Sequence, residues 1–515
     1  MPKSASDYYG LGIGMNLDRR TCSRARLSRD PRFDGKFFIG VITTRIYCRS
    51  ICRAPTAKEK NVRYFATAAA AAEAGFRPCL RCRPECSPGT PAWLGTPATV
   101  SRALRLIEES GLDDGGVERL AERLGVTSRH LRRLFLRHVG ATPGAVARTR
   151  RLHFAKTLIT ETGLPMTQIA LASGFGSIRR FNADIRRVYH RAPTGIRRLA
   201  RRMPALGEDQ YFLQLEFRPP YDWRGMVNFL AERATPGVEA VAGDRYRRTI
   251  LLDGHPGFFE VFPGATPHAI AVRVQFPNPR LLFHIVQRIR AMFDLNADWD
   301  AIAVSLRADP DLCRAMEARP GLRVPGCWDG FELGARAVLG HGLCGPAARE
   351  LAMRFVRALG TEVSFGDGLT HFFPSPEAAA EANLSIIGIP AGRAEPLRNL
   401  ARAVRDGVLR FGGVPEGKEF LARLRQIPGL AGEVAEYVVM RALNEPDAFP
   451  AEDATLLRAT CAAGPSELEQ RAEAWRPWRA YAAMYLWTLA PSDGTRAAAG
   501  QHTGATNRES ARAPW

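Results

Sequence analysis

The spacing of hydrophobic residues divides the chain into regions with different predicted structures. Residues 37–42 are apolar apart from one glycine, which predicts a short strand. Between 99 and 200, apolar residues recur every three or four positions and predict helices. Residues 210–320 alternate short apolar runs with turns, which predicts an antiparallel sheet flanked by helices. Residues 326–490 return to the helical period and predict an almost entirely helical region.

The helical region 99–200 contains the same motif twice. A helix over 117–126 is followed by one over 129–138, and a second pair covers 166–173 and 177–189. Two helices joined by a short turn that contains glycine form the helix-turn-helix motif. In both copies the second helix carries basic or amide side chains: Arg129, Arg132, Arg133, Arg179, Arg180 and Asn182. Such residues are often only solvated, but their repetition on the same helix favours contact with DNA.

Individual elements can also be predicted in the later regions. We expect strands over 212–217, 249–252, 257–262 and 269–276, and helices over 225–233 and 280–293. We expect further helices over 331–339, 347–359, 395–406, 418–426, 433–443 and 478–489. Their boundaries follow from the apolar spacing and from the intervening Gly and Pro residues.

Charge is distributed unevenly along the 515 residues. Residues 1–200 carry 36 Lys and Arg against 15 Asp and Glu, whereas the remaining residues carry 36 against 37. The excess behind the net charge of +20 therefore lies in the first two-fifths, as expected of a region that binds nucleic acid. No apolar run reaches the roughly 18–20 residues of a membrane span, and we find no signal sequence. We therefore expect a cytoplasmic protein that does not contact membranes.

Four cysteines in two pairs are the strongest chemical signal. Three residues separate Cys48 from Cys52, and two separate Cys79 from Cys82. Four thiolates suit tetrahedral Zn²⁺, and a metal can hold together a domain with little core. Six arginines near the pairs predict contact with phosphates: Arg45, Arg49, Arg53, Arg77, Arg81 and Arg83. The spacing alone leaves open a purely structural zinc site and a site with a reactive thiolate.

The sequence around the cysteines resembles a specific family. The similar stretches are residues 43–52, 59–62, 74–84 and, further on, 99–200. They resemble the zinc domain and the AraC-type double helix-turn-helix of the bacterial Ada adaptive-response protein. The resemblance implies that Cys48 takes a methyl group from a methylphosphotriester in DNA, while the other three cysteines remain zinc ligands. The family's Pro-Cys-His-Arg motif for O6-methylguanine repair is missing, so that activity is not predicted.

A second resemblance starts from a hairpin in the C-terminal half. Residues 424–432 join two predicted helices through Pro-Gly, and the amides that begin the second helix can bind a phosphate. Together with Asp453 this arrangement resembles the helix-hairpin-helix DNA glycosylases, and residues 211–489 resemble the AlkA-type 3-methyladenine glycosylase II branch. The resemblance implies that Asp453 is the catalytic carboxylate. It assigns Gly429, Ala431 and Gly432 to DNA binding, and Trp487 and Tyr437 to the base pocket.

The chain departs from the glycosylase pattern at several positions. Ala431 replaces a hairpin glycine, His341 and Gly342 replace a Gln and a bulky wedge residue, and Ala454 replaces a pocket aromatic. Glu433 stands where bifunctional relatives carry a lysine, so a Schiff-base lyase step is not expected. An N-cap of a helix is the alternative role for Asp453, and ordinary core packing is the alternative for Tyr437.

These patterns predict a multidomain protein with four folded domains. They are a small α+β zinc domain (18–90), an all-α double helix-turn-helix (96–200), an α+β antiparallel-sheet domain (208–322) and an all-α helix-hairpin-helix glycosylase domain (323–490). A Pro/Gly-rich linker is predicted at 87–97 and a disordered tail at 491–515.

The predicted function is DNA alkylation repair joined to its regulation. The chain would excise alkylated purines, remove methyl groups from DNA phosphotriesters through a zinc thiolate and activate transcription. The predicted partners are double-stranded DNA and RNA polymerase, and the predicted location is the bacterial cytoplasm at the nucleoid. The alternative is an AraC-type regulator with a structural zinc site and a degenerate glycosylase module.

Overall fold

The chain forms two compact units in the computed structural model, which describes residues 17–88, 98–110, 116–199, 207, 209–412 and 417–489. The first unit comprises Met1–Pro219, Pro263–Arg290 and Leu295–Asp298, and the second comprises Pro220–Phe262, Ala291–Asp294 and Trp299–Trp515. The tail predicted at 491–515 and most of the linker predicted at 87–97 lie outside the described residues.

The first unit begins with a small α+β region. Its elements are α1 (Arg19–Ser28), β1 (Phe38–Val41), β2 (Ile46–Cys48), β3 (Val62–Phe65), α2 (Ala68–Glu73) and β4 (Arg77–Pro78). The strand order is β3-β1-β2-β4, in which only the β2–β4 pair is parallel. The strand predicted over 37–42 is confirmed as β1. One cluster of buried residues in this region consists of Cys22, Ala25, Phe37, Ile39, Val62 and Tyr64.

Helices follow in the first unit and confirm both helix-turn-helix motifs. They are α3 (Ala98–Ser110), α4 (Gly116–Arg123), α5 (Ser128–His138), α6 (Pro143–Glu161), α7 (Met166–Ala172), α8 (Ile178–Tyr189) and α9 (Pro193–Leu199). Thr127 caps α5 and Ser177 caps α8, each by accepting a backbone N–H at 3.2 Å. Gly125 and Gly174 precede the capping residues with φ of 67° and 71°, a conformation that glycine adopts easily. The two copies therefore share their turn chemistry.

Two antiparallel strands complete the first unit. Strand β5 (Gln210–Glu216) pairs with the later strand β9 (Ala269–Gln275) along its whole length. Burial alternates along β5, which places Tyr211, Leu213 and Leu215 on its buried face. Most of the helix Leu282–Met292 also belongs to this unit. Both strands and this helix were predicted from the sequence within a few residues.

The second unit contains a three-stranded antiparallel meander followed by helices. It begins with α10 (Trp223–Arg233), β6 (Glu239–Ala242), β7 (Arg245–Leu252) and β8 (His255–Pro263). The helix Leu282–Met292, most of which belongs to the first unit, is α11 in chain order. The later helices are α12 (Trp299–Leu306), α13 (Pro310–Ala318), α14 (Gly330–Gly340), α15 (Gly345–Leu359), α16 (Pro376–Glu381), α17 (Ala391–Arg405), α18 (Gly417–Arg425), α19 (Gly432–Ala442), α20 (Ala454–Thr460), α21 (Pro465–Ala472) and α22 (Arg479–Leu489).

Helix α14 forms the centre of the helical region. Every residue from Gly330 to Gly340 is buried except Arg336. Gly334 lets α17 approach closely, because a Cβ atom there would lie 2.9 Å from Cδ2 of Leu400. The predicted fold class is confirmed. In the second unit, β6, α12, α13, α16, α20 and α21 had not been predicted as separate elements, and in the first unit the same holds for α1, β2, β3, α2, β4, α3, α6 and α9. No helix in the described ranges is long and apolar enough to cross a membrane.

Candidate functional sites

Parallel pairing of β2 with β4 brings the two cysteine pairs together. Tyr47 faces Pro78 in the register, so the next residues, Cys48 and Cys79, leave the two strands side by side. The N–H of Cys79 donates to the carbonyl oxygen of Tyr47 at 3.0 Å. Cys52 follows in a turn whose N–H donates to the carbonyl oxygen of Arg49 at 3.2 Å. The C-x3-C and C-x2-C segments therefore end on the same side of the small sheet.

The sulfur atoms of Cys48, Cys52, Cys79 and Cys82 all lie within 4.8 Å of one another. A tetrahedral Zn²⁺ site with Zn–S bonds of about 2.3 Å has sulfurs about 3.8 Å apart, so this donor set fits Zn²⁺. The four sulfurs share their protons through mutual hydrogen bonds, which lower the pKa of Cys79, and that of Cys52 to about 7, and raise the pKa of Cys48 and Cys82. Cys86 lies outside this group. The site therefore contains the four cysteines singled out in the sequence.

The arginines near the cysteines do not all face solvent. Arg45, Arg53 and Arg81 are exposed, as phosphate contact requires. Arg49 is only 2% exposed and its guanidinium binds the carboxylates of Asp34 and Glu216. The prediction of phosphate contact is therefore wrong for Arg49, because internal ion pairs already occupy its side chain.

The predicted DNA-binding residues lie on the second helix of each helix-turn-helix copy. On α5, Arg129, Arg132 and Arg133 are exposed, and the intervening Leu131 and Phe135 are fully buried. On α8, Arg179 and Arg180 are exposed and Asn182 is half-buried, while Phe181 and Ile185 are fully buried. The apolar residues thus anchor each helix and leave its basic face accessible.

The hairpin between α18 and α19 requires a glycine at its first position. Gly429 has φ of 85°, and a Cβ atom there would lie 2.6 Å from Cγ of Pro396. Ala431 is the N-cap of α19 and offers no side-chain hydrogen bond to the first turn, which begins at Gly432. The first amides of α19 are therefore not capped by their own N-cap residue, which suits a phosphate ligand.

Asp453 caps α20 and is almost fully buried, with 2% exposure. Its Oδ1 accepts the N–H groups of Thr455 at 2.9 Å and Leu456 at 2.8 Å, and Nε1–H of Trp487 at 3.2 Å. These three bonds all end on Oδ1, so the capping role and a chemical role for Oδ2 are compatible. Burial raises the pKa of the Asp453 carboxyl, and the negative charge of Glu433 adds to this rise. The hydrogen bonds from Leu456 and Trp487 lower the pKa and offset part of it.

Two aromatic residues of the predicted pocket meet beside this carboxylate. Tyr437 on α19 and Trp487 on α22 form an edge-to-face pair with ring centroids 6.4 Å apart. The hydroxyl oxygen of Tyr437 accepts a hydrogen bond from Arg441, whose Nε donates to the carbonyl oxygen of Pro325 at 2.7 Å. Burial opposes ionisation of Tyr437, but Arg441 and Arg233 lower its pKa overall. A buried tyrosine hydroxyl normally has such a partner, so this contact fits both a pocket role and ordinary core packing for Tyr437.

Two departures from the glycosylase pattern pair with each other. Nδ1 of His341, just after α14, lies 2.8 Å from Oε1 of Glu433 in the first turn of α19. No spacing in the sequence links these two positions, because about ninety residues separate them and only the fold brings them together. Their contact places an imidazole beside the carboxylate that raises the pKa of Asp453.

Three family models match the chain. The "Metal binding domain of Ada" matches residues 21–85, a "Helix-turn-helix domain" matches 120–199, and the "AlkA N-terminal domain" matches 212–329. The first match and the four clustered sulfurs confirm the prediction of a zinc site held by four cysteines.

Curated relatives cover the same regions. The "DNA-3-methyladenine glycosylase 2" of Escherichia coli is 30% identical over 53% of this chain and 95% of its own length. The E. coli "Bifunctional transcriptional activator/DNA repair enzyme Ada" is 37% identical over 29% of this chain and 40% of its own length. The "Probable bifunctional transcriptional activator/DNA repair enzyme AlkA" of Mycobacterium tuberculosis is 39% identical over 92% of this chain and 97% of its own length. The chain therefore belongs to the family of bifunctional transcriptional activator/DNA repair enzymes that join an Ada-type N-terminal half to an AlkA-type C-terminal half.

Proposed function

We propose that this chain excises alkylated purines from DNA with Asp453, accepts methyl groups from the DNA backbone on Cys48 and regulates transcription through its helix-turn-helix motifs. The observation that supports excision most strongly is the fixed carboxylate of Asp453 beside Trp487 and Tyr437. The direct test is incubation of the full chain with alkylated duplex DNA and chromatography of the released bases. Free 3-methyladenine is the expected product, and its absence would refute the proposal.

Excision needs little more than charge stabilisation, because an alkylated purine is cationic and leaves readily. The enzyme flips the nucleotide out of the duplex, and the electron-rich rings of Trp487 and Tyr437 attract the cationic base. As the glycosidic bond breaks, the carboxylate of Asp453 stabilises the positive charge on the sugar and orients the attacking water. Glu433 has no amine to form a Schiff base, so the glycosylase is monofunctional.

Methyl transfer uses the sulfur of Cys48 once. Bound zinc would supply the electrostatic field that keeps the four cysteines deprotonated at neutral pH. The Cys48 thiolate attacks the methyl carbon, a C–S bond forms, the C–O bond breaks, and the phosphate oxygen leaves as an anionic phosphodiester. A thioether does not return the methyl group without another acceptor, so the site is consumed by one reaction.

Regulation follows from the charge that this reaction removes. Methylation of Cys48 neutralises one thiolate, which reduces repulsion between the cluster and DNA phosphates. The exposed arginines of α5 and α8 then hold the protein on promoter DNA, where activation requires contact with RNA polymerase. The same basic half would keep the protein on the nucleoid. A promoter-binding assay before and after methylation tests this step, and equal affinity would contradict it.

The pH dependence of base release should report the raised pKa of Asp453. Below this pKa the carboxyl is neutral, so the rate of base release should fall as the pH is lowered. The midpoint of this fall should lie above pH 3.8, the usual pKa of an aspartate. Glu433→Gln removes a charge that contributes to the rise, so it should shift the acidic limb to lower pH. Glu419→Gln on the exposed surface of α18 is the control. A limb that is unmoved in Glu433→Gln would contradict this electrostatic account.

The basic faces of α5 and α8 should determine how strongly salt weakens DNA binding. Arg179→Ala removes one exposed cation, so we expect weaker binding and a decrease of about one in the slope of log affinity against log salt. Titration of labelled duplex at several salt concentrations measures the slope. Arg354→Ala on α15, where the arginine pairs with Glu350, should leave it unchanged. Equal slopes for Arg179→Ala and the parent would exclude a phosphate contact.

A further inference from the structure

Arg49 lies at the centre of a buried network directly beside the sulfur cluster. Its Nε donates to Oδ1 of Asp34 at 2.9 Å, and its Nη2 contacts Asp34 and Glu216. The side chains of Arg49 and Asp34 are 3% and 5% exposed, and that of Glu216 is 26% exposed. Buried charges of this kind need partners, because removing one partner leaves an uncompensated charge. Glu216 is therefore part of the electrostatic balance of the cysteine centre.

The same arginine holds Cys82 at two points. The backbone N–H of Arg49 donates to Sγ of Cys82 at 3.4 Å, and Nη1 donates to the carbonyl oxygen of Cys82 at 3.2 Å. Arg49 also follows Cys48 directly in the chain. The position of its guanidinium thus influences how far apart Cys48 and Cys82 lie. Hydrogen bonds to metal ligands orient the ligand atoms and tune their basicity.

Glu216 reaches this network from the last position of β5. It pairs with Ala269 of β9, so its backbone is fixed by the strand ladder. Two further contacts bind the segment around Asp34 to later parts of the first unit. Arg218 donates to the carbonyl oxygen of Asp34 at 2.7 Å, and Nζ of Lys36 lies 2.6 Å from Oδ1 of Asp298. The carboxylate therefore approaches Arg49 from a rigid support.

The charges are not evenly matched. Arg49 pairs with the carboxylates of Asp34 and Glu216, while Arg218 and Arg290 donate to the backbone carbonyl oxygens of these two residues, so removing the Glu216 carboxylate leaves cations in excess around Asp34. Without Glu216, Arg49 would be balanced by Asp34 alone and the field at the sulfurs would be more positive. A more positive field disfavours Zn²⁺ and makes a thiolate less nucleophilic. The carboxylate of Glu216 thus offsets the positive field that Arg49 would otherwise exert on the sulfur atoms.

We propose that Glu216 is a positioning residue of the methyl-acceptor centre, which acts through Arg49 to fix Cys82 and to keep the sulfur cluster negative. The proposal rests on the proposed methyl transfer to Cys48. It assigns to a residue of the AlkA-like sequence a role in the Ada-like centre, so the chemistry of the N-terminal centre depends on the strand that follows it.

The test is Glu216→Gln in the full chain, measured first by zinc loss and then by methyl transfer. Gln retains the shape and an acceptor oxygen but removes the charge, so transfer of zinc to a chromogenic chelator should be about tenfold faster. Methyl transfer from methylphosphotriester DNA should slow by a similar factor, and the charge-transfer absorption of the Co²⁺-substituted protein should shift. Glu216→Asp retains the charge and should restore much of the zinc retention.

Glu260→Gln is the matched control. Glu260 is also a strand residue whose carboxylate pairs with an arginine, Arg245, but both residues belong to the second unit, whereas the cysteines belong to the first. Faster zinc loss in Glu216→Gln alone supports the proposal. Unchanged zinc loss and absorption, or equal acceleration in both variants, would overturn it. Zinc loss is measured without DNA, so failure of methyl transfer in the parent chain would refute the proposed function without deciding the role of Glu216.

Discussion

Asp453→Asn should reduce the release of 3-methyladenine from alkylated DNA by at least about a hundredfold, the usual cost of removing a group that stabilises charge in a transition state. The amide cannot supply the negative charge that the developing sugar cation needs. Asparagine is as good an N-cap as aspartate, so α20 should keep its start. Single-turnover base release, followed by chromatography, measures the effect on chemistry independently of product release.

Stability should not explain this loss. Burial raises the pKa of Asp453 in the folded state above its value in the unfolded state. At neutral pH the ionised carboxylate therefore lowers the free energy of unfolding. This destabilisation disappears when the pH falls below the pKa of the unfolded state. Asp453→Asn removes the charge and should therefore unfold no more easily than the parent at pH 7. Asp329→Asn is the matched control, since Asp329 caps α14 in the same manner by accepting the N–H of Glu332 at 2.9 Å. Undiminished release in Asp453→Asn would exclude Asp453 as the catalytic carboxylate.

Cys48→Ser should reduce methyl transfer from methylphosphotriester DNA by at least about a thousandfold, as expected when the nucleophile of a covalent reaction is lost. A serine hydroxyl stays protonated at neutral pH, so it is a much weaker nucleophile than the thiolate it replaces. Transfer of a labelled methyl group from DNA to protein measures the reaction. Base release by the same preparation should be unaffected, because Asp453 lies in the other compact unit.

Two controls separate loss of the nucleophile from loss of the fold. Zinc content should remain measurable in Cys48→Ser, because three thiolates remain to bind the metal. Cys86→Ser changes a cysteine outside the cluster and should transfer methyl groups at the parent rate. Labelled protein in Cys48→Ser at the parent rate would show that another residue is the acceptor.

Much of the fold could be predicted because local patterns determine it. The alternation of buried residues along β5 and the repeated apolar pairs of α5 and α8 are visible in the sequence. Strand β6 and helices α16 and α20 were missed because they are only four to seven residues long, too short to show a period. For these elements tertiary packing and caps such as Asp453 decide the structure.

The candidate sites were predicted in their chemistry more than in their surroundings. The four cysteines could be identified as a zinc site because their residue type and spacing are specific, whereas the catalytic role of Asp453 was inferred from the resemblance to the glycosylases and stays a prediction. The Arg49–Glu216 and His341–Glu433 contacts could not, since each joins residues from distant segments. Arg49 illustrates the reason: among nearby arginines only the fold distinguishes a solvent-facing cation from one buried against carboxylates.

The proposed function joins in one chain a methyl acceptor that is spent after one reaction and a glycosylase that turns over. A single time course measures both, with intact-protein mass spectrometry and base chromatography on the same reaction with excess methylated duplex DNA. Methyl uptake should stop at one group per chain, located on the peptide of Cys48, while free 3-methyladenine should accumulate well beyond the amount of protein. Base release that stops with methyl uptake, or release without any methyl on the Cys48 peptide, would contradict the proposed function.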